Sequence, residues 1–288
     1  MPKLEDDSPE IVRIDDAMRE WRQRDIALDV EWFVHIGDPG AALSAAAAES
    51  TDAGIQALTS AVRGLVVLTQ TCDIVRSCAV RPYIECAPLV EADETFLRDV
   101  ERGRRPSYAA LPALMPERLV VDLDRVMTVE KSIVASWTRR PGWTRDANAR
   151  RFAQSLVRKR ARFAFPDDFT AFAKKLSSRL PAKHDKNSDE GRGLRALREI
   201  RVQATPSWDA PSVTVLFWFV RDERQGPMFE GRDWSKLLDS WLALVPSAGR
   251  FEVVEGLVVR LEELNGADYV SSDRLDLDHL SSGDELSP

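Results

Sequence analysis

Three short apolar runs, with no long helix between them, constrain this chain more than any other feature. They span residues 64–69, 82–90 and 118–123, and glycine, proline or charged residues bound them. Residues 24–34 precede them with the rough polar and apolar alternation of a half-buried strand. Residues 98–116 are rich in arginine and proline, which is typical of a loop. Parallel pairing would require long crossover connections, so this spacing predicts a small barrel.

The chain changes character after residue 138. Phe152 and Leu156 share one side of a helical wheel, and Pro166 begins a second helical pattern. Period-two alternation returns after residue 196, mixed with one amphipathic helix, which predicts an α+β domain. The predicted class is therefore α+β. Its predicted divisions are an N-terminal arm (1–21) that is loose over residues 1–15, a small β-barrel (22–138), a central basic helical segment (139–195), a C-terminal α+β domain (196–270) and an acidic tail (271–288).

The net charge of −7 conceals a strong asymmetry. Residues 139–201 contain 18 lysines and arginines but only 7 acidic residues, a net charge of +11, which leaves −18 for the rest of the chain. Such asymmetry is a sign of a polyanionic partner, because phosphate binding requires cations. The alternative is a solvated helical surface balanced by acidic neighbours in the same fold.

Several classes of protein are not expected. No apolar run approaches the roughly 18 residues of a membrane span, and the acidic N-terminus does not resemble a signal peptide, so we expect a cytoplasmic protein. Three cysteines and three histidines lack metal-site spacing, and the sequence contains no phosphate-binding or dinucleotide-binding glycine motif. No metal or cofactor is therefore predicted.

Residues 22–137 resemble the PemK/MazF-like toxin family, whose members include metal-independent endoribonucleases. The resemblance rests on Arg24-Asp25-Ile26, on residues 63–69 and 84–90, and above all on Thr128-Val129-Glu130-Lys131-Ser132 after a leucine-rich strand. It implies an SH3-like barrel that binds RNA, and cleaves it, in a bacterial toxin or phage-defence system.

The resemblance also implies candidate catalytic residues. In the family, an arginine at a strand start stabilises the charge that develops when the RNA 2′-hydroxyl attacks the adjacent phosphate, and Arg63 occupies that position. The family has a threonine or serine at the end of the next strand, where this chain has Leu89, Val90 and Glu91. Glu91, Thr69 and Asp73 are the candidates for proton transfer.

The basic segment supplies candidate RNA ligands. Arginines interleaved with aromatic residues suit single-stranded RNA, whose bases stack on rings and guanidinium planes. The candidates are Arg139, Arg140, Arg151, Arg158, Arg162, Trp143, His184 and Lys186. An interdomain hinge explains the arginines and tryptophans near residue 140 equally well, and a solvated loop explains His184.

Two other functions stay open. Without the family's hydroxyl, the barrel could serve as a non-catalytic adaptor that binds nucleic acid or a protein partner. Alternatively, Cys72 could be the nucleophile of a hydrolase, because it follows a buried strand in a polar cluster and His184 could activate its thiol.

Overall fold

The structure, a computed structural model, describes residues 8–101, 105–142, 145–161, 163–221 and 233–275. The chain forms two compact units, Met1–Arg160 and Ala161–Pro288. Helices and strands are mixed in both units, so the predicted α+β class is confirmed. The boundary between the units falls inside the predicted basic segment 139–195.

Among the described residues of the first unit, the α-helices are α1 (Pro9–Met18), α2 (Ala45–Glu49), α3 (Thr71–Ile74), α4 (Glu94–Glu101), α5 (Lys131–Val134) and α6 (Asp146–Arg160). Its strands are β1 (Ile26–Ala27), β2 (Trp32–Gly37), β3 (Gln56–Ala61), β4 (Leu65–Val67), β5 (Tyr83–Glu91), β6 (Tyr108–Ala109), β7 (Leu119–Asp122) and β8 (Met127–Glu130). The three predicted apolar runs are therefore strands β4, β5 and β7.

The central sheet of this unit is open and antiparallel. Its order is β1-β4-β5-β7-β6, and β8 also pairs with β5. Strand β5 is the organising element, because it pairs with β4 near its middle, with β8 over Tyr83–Cys86 and with β7 over Leu89–Glu91. Its residues from Cys86 to Leu89 are fully buried, which agrees with the apolar run in the sequence.

The loose arm predicted for the N-terminus is wrong for the described residues of α1. The Ser8 hydroxyl accepts a hydrogen bond from the Ile11 N–H (3.3 Å) and caps the helix. Ile11, Ile14 and Met18 lie at i, i+3 and i+7, and all three are buried in the core. Most residues of this segment are polar, so its overall composition does not reveal the narrow apolar stripe. Residues 1–7 lie outside the described part of the chain.

Two stretches that the sequence assigns to connections are also structured. Residues 37–59 read as an insertion, but β2 and β3 pair in register from Trp32–Ala61 to Gly37–Gln56 and enclose α2. Strand β3 consists largely of alanine, serine and threonine, which give little hydrophobic signal. The predicted loop 98–116 contains the end of α4 and strand β6.

The second unit contains α7 (Asp167–His184), α8 (Asp189–Ala196), α9 (Trp234–Leu242) and α10 (Gly266–Ser271). Its four-stranded sheet has the order β11-β10-β9-β12, with β9 (Leu197–Thr205), β10 (Val213–Arg221), β11 (Phe251–Arg260) and β12 (Asp273–Arg274). Only the β10–β11 pair among these described strands is parallel.

Sequence and structure agree well in this unit. Phe169, Ala173, Leu176 and Leu180 of α7 are buried against the sheet, as their spacing predicts. Two stretches differ from what the sequence suggests. The solvated loop around His184 is short, because His184 ends α7 and α8 begins at Asp189 with Gly191 and Leu194 buried, and the predicted acidic tail from residue 271 contributes β12 and the buried Leu275. Residues 276–288 of that tail lie outside the described chain.

Candidate functional site

The predicted catalytic residues lie at the two ends of strand β4. Arg63 precedes the strand, whereas Thr69 follows it and Cys72 and Asp73 lie in α3. A strand advances about 3.3 Å per residue, so the Cα atoms of Arg63 and Thr69 can be at most roughly 20 Å apart. The structure places Glu91 with Arg63, and it therefore divides the five candidates into two groups.

Antiparallel pairing of β4 with β5 brings Arg63 beside Glu91. Leu65 lies opposite Pro88, and the Arg63 N–H donates to the Leu89 carbonyl (3.2 Å). Arg63 Nε is 3.3 Å from Glu91 Oε1, and the side chains are 63% and 72% exposed. The accessible guanidinium can stabilise a phosphate, and the carboxylate beside it can accept a proton at the same phosphodiester.

Gly64, which lies between Arg63 and β4, packs closely against the backbone of β1. Its φ is +129°, and a Cβ at this position would lie 2.8 Å from the Ala27 carbonyl oxygen. An L-residue with a side chain would meet both the strained backbone and the contact with β1. Glycine at position 64 therefore allows the start of β4 to lie this close to β1.

The second group surrounds the exit of β4, where side-chain hydrogen bonds hold the chain. The Thr69 hydroxyl accepts from the Glu85 N–H (2.7 Å), and the Thr71 hydroxyl accepts from the Gln23 N–H (3.1 Å). Gln23 Nε2 also donates to the Leu68 carbonyl (2.8 Å). These bonds fasten the polar cluster to β5 and to the segment before β1, so its side chains have fixed positions.

Lys131 stabilises α3 through hydrogen bonds to backbone carbonyls, a role that the sequence did not predict. It is only 1% exposed, and its Nζ donates to the carbonyls of Asp73 (3.1 Å) and Arg76 (2.6 Å). Burial lowers the pKa of Lys131, an effect that the charge of Asp15 opposes. The available signal was a lysine at the start of α5 with Val129 two residues before it and Val134 three residues after it.

The cysteine and histidine candidates have other partners. Cys72 is exposed, and its thiol lies 3.6 Å from Gln70 Oε1. His184 Nδ1 lies 3.0 Å from Asp185 Oδ1. Neither contact is the pairing of a nucleophile with a base that a cysteine hydrolase requires.

The arginines near residue 140 are held by contacts within the first unit. Arg139 Nη1 is 3.0 Å from the buried carboxylate of Asp25. Arg140 Nη1 is 2.7 Å from Glu117, and this hydrogen bond lowers the pKa of Glu117. Both arginines therefore form ion pairs within the first unit, and each is only partly exposed.

The other candidate RNA ligands are distributed over both units. Arg151 donates to the Glu101 carbonyl (2.6 Å), and Arg158 lies half-buried on the same helix, α6. Lys186 is exposed in the second unit beside His184. Trp143 and Arg162 lie outside the described residues.

A cavity of about 480 Å³ opens at the exit of β4. We call it the β4-exit cavity. Its lining combines cationic, acidic, amide and aromatic side chains from four segments of the first unit. The lining residues are Gln23, Leu68, Thr69, Gln70, Asp73, Arg81, Tyr83, Glu85, Leu156 and Arg160. Two of the predicted catalytic residues, Thr69 and Asp73, are among them.

The described residues contain no group of three or more histidine, cysteine, aspartate or glutamate side chains arranged to hold a metal ion. Among the helices in the described ranges, none combines the length and apolarity required to cross a membrane. Comparison of the chain with known protein families, curated proteins and solved structures finds no match. The geometry of the two ends of β4 is therefore the basis for a functional assignment.

Proposed function

We propose that this protein binds single-stranded RNA and cleaves it without a metal ion, as a PemK/MazF-like endoribonuclease of a bacterial toxin or phage-defence system. The observation that carries the proposal is the 3.3 Å contact between Arg63 and Glu91. These residues stand at the start of one strand and the end of its antiparallel neighbour, the two positions that the resemblance assigns to catalysis. The SH3-like barrel belongs to the same proposal, and the pairing of β5 with both β7 and β8 supports it.

The pair supplies the groups that the reaction needs. The Glu91 carboxylate takes the proton of a ribose 2′-hydroxyl, and the 2′-oxygen attacks the adjacent phosphorus. The P–O5′ bond breaks, which leaves a 2′,3′-cyclic phosphate; the departing 5′-oxygen takes a proton from water, and the protonated Glu91 returns its own proton to the solvent. Arg63 stabilises the negative charge on the phosphoryl oxygens in the transition state, since a guanidinium offers several fixed donors.

The test is cleavage of labelled single-stranded RNA in EDTA. Arg63→Ala and Glu91→Gln are each expected to slow cleavage by about 100-fold or more, the usual contribution of such groups. Arg19→Ala is the matched control, because Arg19 is also exposed and paired with a carboxylate, that of Asp16 at 2.8 Å. Undiminished cleavage by Arg63→Ala would refute the assignment of this pair.

A second function, the non-catalytic adaptor, is favoured by one observation. Arg63 and Glu91 are both more than half exposed, whereas catalytic pairs usually lie in a cleft that excludes water. An adaptor would bind RNA with a strong salt dependence, through phosphate contacts, and leave it intact. The same EDTA experiment, with binding measured by a filter or gel assay, distinguishes the two functions.

A further inference from the structure

The β4-exit cavity lies at the opposite end of β4 from the Arg63–Glu91 pair, and the proposed cleavage reaction does not use it. Its volume of about 480 Å³ lies within the roughly 300–1,000 Å³ of small-molecule sites. All of its lining residues belong to the first unit. The composition of the lining defines the kind of molecule that would fit.

One part of the lining is apolar and aromatic. Leu68 and Leu156 contribute aliphatic surface, and the Tyr83 side chain stands beside them with the residue 55% exposed. An exposed tyrosine ring next to aliphatic side chains is a platform on which a planar heterocycle can stack. The period of two along β5 places Glu85 on the same face as Tyr83.

A second part of the lining is cationic. Within the described ranges, no carboxylate forms an ion pair with Arg81, which is exposed at the edge of the cavity. Arg160 is 52% exposed, and its Nη2 is 3.9 Å from Glu85 Oε2, the outer limit of an ion pair. Guanidinium groups held this loosely can turn to a phosphate and bind it through paired N–H donors.

A third part supplies neutral and acidic hydrogen-bonding groups. Thr69 already accepts from the Glu85 N–H, and its hydroxyl hydrogen can still donate into the cavity. Gln23 uses Nε2 to bind the Leu68 carbonyl, which leaves Oε1 as an acceptor. The carboxylates of Asp73 and Glu85 can accept from the amino or imino groups of a heterocycle.

We propose that the β4-exit cavity binds a nucleoside monophosphate, with the base against Tyr83 and the phosphate on Arg81 and Arg160. A phosphate alone would satisfy the two arginines but not the aromatic and amide groups. A nucleoside alone would leave the arginines without an anion. The ligand can be a free nucleotide or one nucleotide of an RNA strand. The inference does not rest on the proposed cleavage activity, because it concerns different residues.

The experiment is isothermal titration of the full-length protein with each of the four ribonucleoside monophosphates, with inorganic phosphate and with the corresponding nucleosides. At least one monophosphate is expected to bind saturably, and more tightly than either phosphate or its nucleoside. Arg81→Ala and Tyr83→Ala are each expected to weaken it by about tenfold, the effect of losing one good contact. Both residues are exposed, so these variants are expected to fold.

Arg19→Ala is the control for a general loss of positive charge, and it should bind like the wild type. A second arm titrates a short single-stranded oligoribonucleotide. Tighter binding of the oligonucleotide, with the same losses in the two variants, identifies an RNA strand as the source, whereas equal affinity identifies a free nucleotide. The proposal is overturned if no monophosphate binds saturably, if phosphate alone binds equally well, or if the two variants bind like the wild type. Cleavage is not measured here, so failure of the ribonuclease proposal would not affect this result.

Discussion

At the scale of single residues, Lys131 is the buried side chain that holds α3, the helix that carries Asp73 of the β4-exit cavity. Its ammonium group is buried and donates to the carbonyls of Asp73 and Arg76, at and just beyond the end of α3. Lys131→Met keeps the volume but leaves these carbonyls without their donor. Loss of a buried hydrogen-bond partner costs about 1–3 kcal/mol, so we expect a loss of about 2 kcal/mol in the free energy of unfolding.

Urea denaturation measures this loss. Lys175→Met is a suitable control, because Lys175 is exposed on α7 and should change the free energy of unfolding by less than about 0.5 kcal/mol. Equal stability of the Lys131→Met variant and the wild type would show that water replaces the ammonium group without cost.

Asp15 gives the first unit a predictable acid sensitivity. Burial favours the neutral form of Asp15, but hydrogen bonds from the Cys78 N–H (2.7 Å), Ser77 and the Cys78 thiol outweigh it and lower the pKa of Asp15 below 3.8. The native state therefore binds this proton more weakly than the unfolded state. Its contribution to stability is complete above pH 3.8 and is lost as the pH falls through the lower, native pKa.

Asp15→Asn should accordingly flatten the dependence of unfolding free energy on pH below about pH 4. Urea titrations at pH 7, 4 and 3 measure the effect. Asp16→Asn, at the exposed neighbouring position, should retain the acid dependence of the wild type. An unchanged acid slope in Asp15→Asn would exclude this carboxylate as its source.

At the scale of elements, α1 is a largely polar helix that contributes buried side chains to the core. Ile14 is 4% exposed, whereas Val12 on the same helix is 49% exposed. Ile14→Ala should lower the free energy of unfolding by about 2–5 kcal/mol, because it removes buried methyl groups and leaves a cavity. Val12→Ala should cost less than about 0.5 kcal/mol. Equal effects of the two variants would mean that α1 does not pack as described.

Elements with a clear pattern of apolar residues were predictable from the sequence, and elements without such a pattern were not. The apolar runs that form β4, β5 and β7, and the spacing that forms α7, need no knowledge of distant residues. Strand β3 lacks such a signal, because only Leu58 among its residues is buried. Its structure comes from pairing with β2, which is a tertiary contact.

The candidate site was predictable only where a local pattern carried it. The polar residues after β4 and the arginine before it are visible in the sequence. Their separation to opposite ends of the strand follows from its extended backbone, whereas the contact of Arg63 with Glu91 depends on the register of β4 with β5. Arg160 reaches the β4-exit cavity from α6, about 90 residues later in the chain, and no local pattern predicts that.

At the scale of the whole molecule, the basic segment is divided between the two units. Its helix α6 belongs to the first unit, and α7 and α8 belong to the second. Several of its cations are paired with acidic residues outside the segment, such as Arg139 with Asp25 and Arg140 with Glu117 (2.7 Å). The net charge of +11 therefore overstates the positive charge that remains for a polyanion.

Each unit also encloses its own hydrophobic core, and this predicts two unfolding transitions. Ile14 belongs to a core of α1, β4, β5 and β8, whereas Leu176, fully buried in α7, belongs to a core with β9 and β10. Ile14→Ala should lower the midpoint of one transition by roughly 6–12 °C, and Leu176→Ala should lower the midpoint of the other by a similar amount. Differential scanning calorimetry measures both midpoints. A core substitution acts on the cooperative unit that contains it, so each variant should leave the second transition within about 2 °C of its wild-type midpoint. If both variants instead shift one common transition equally, the two units unfold as a single cooperative body.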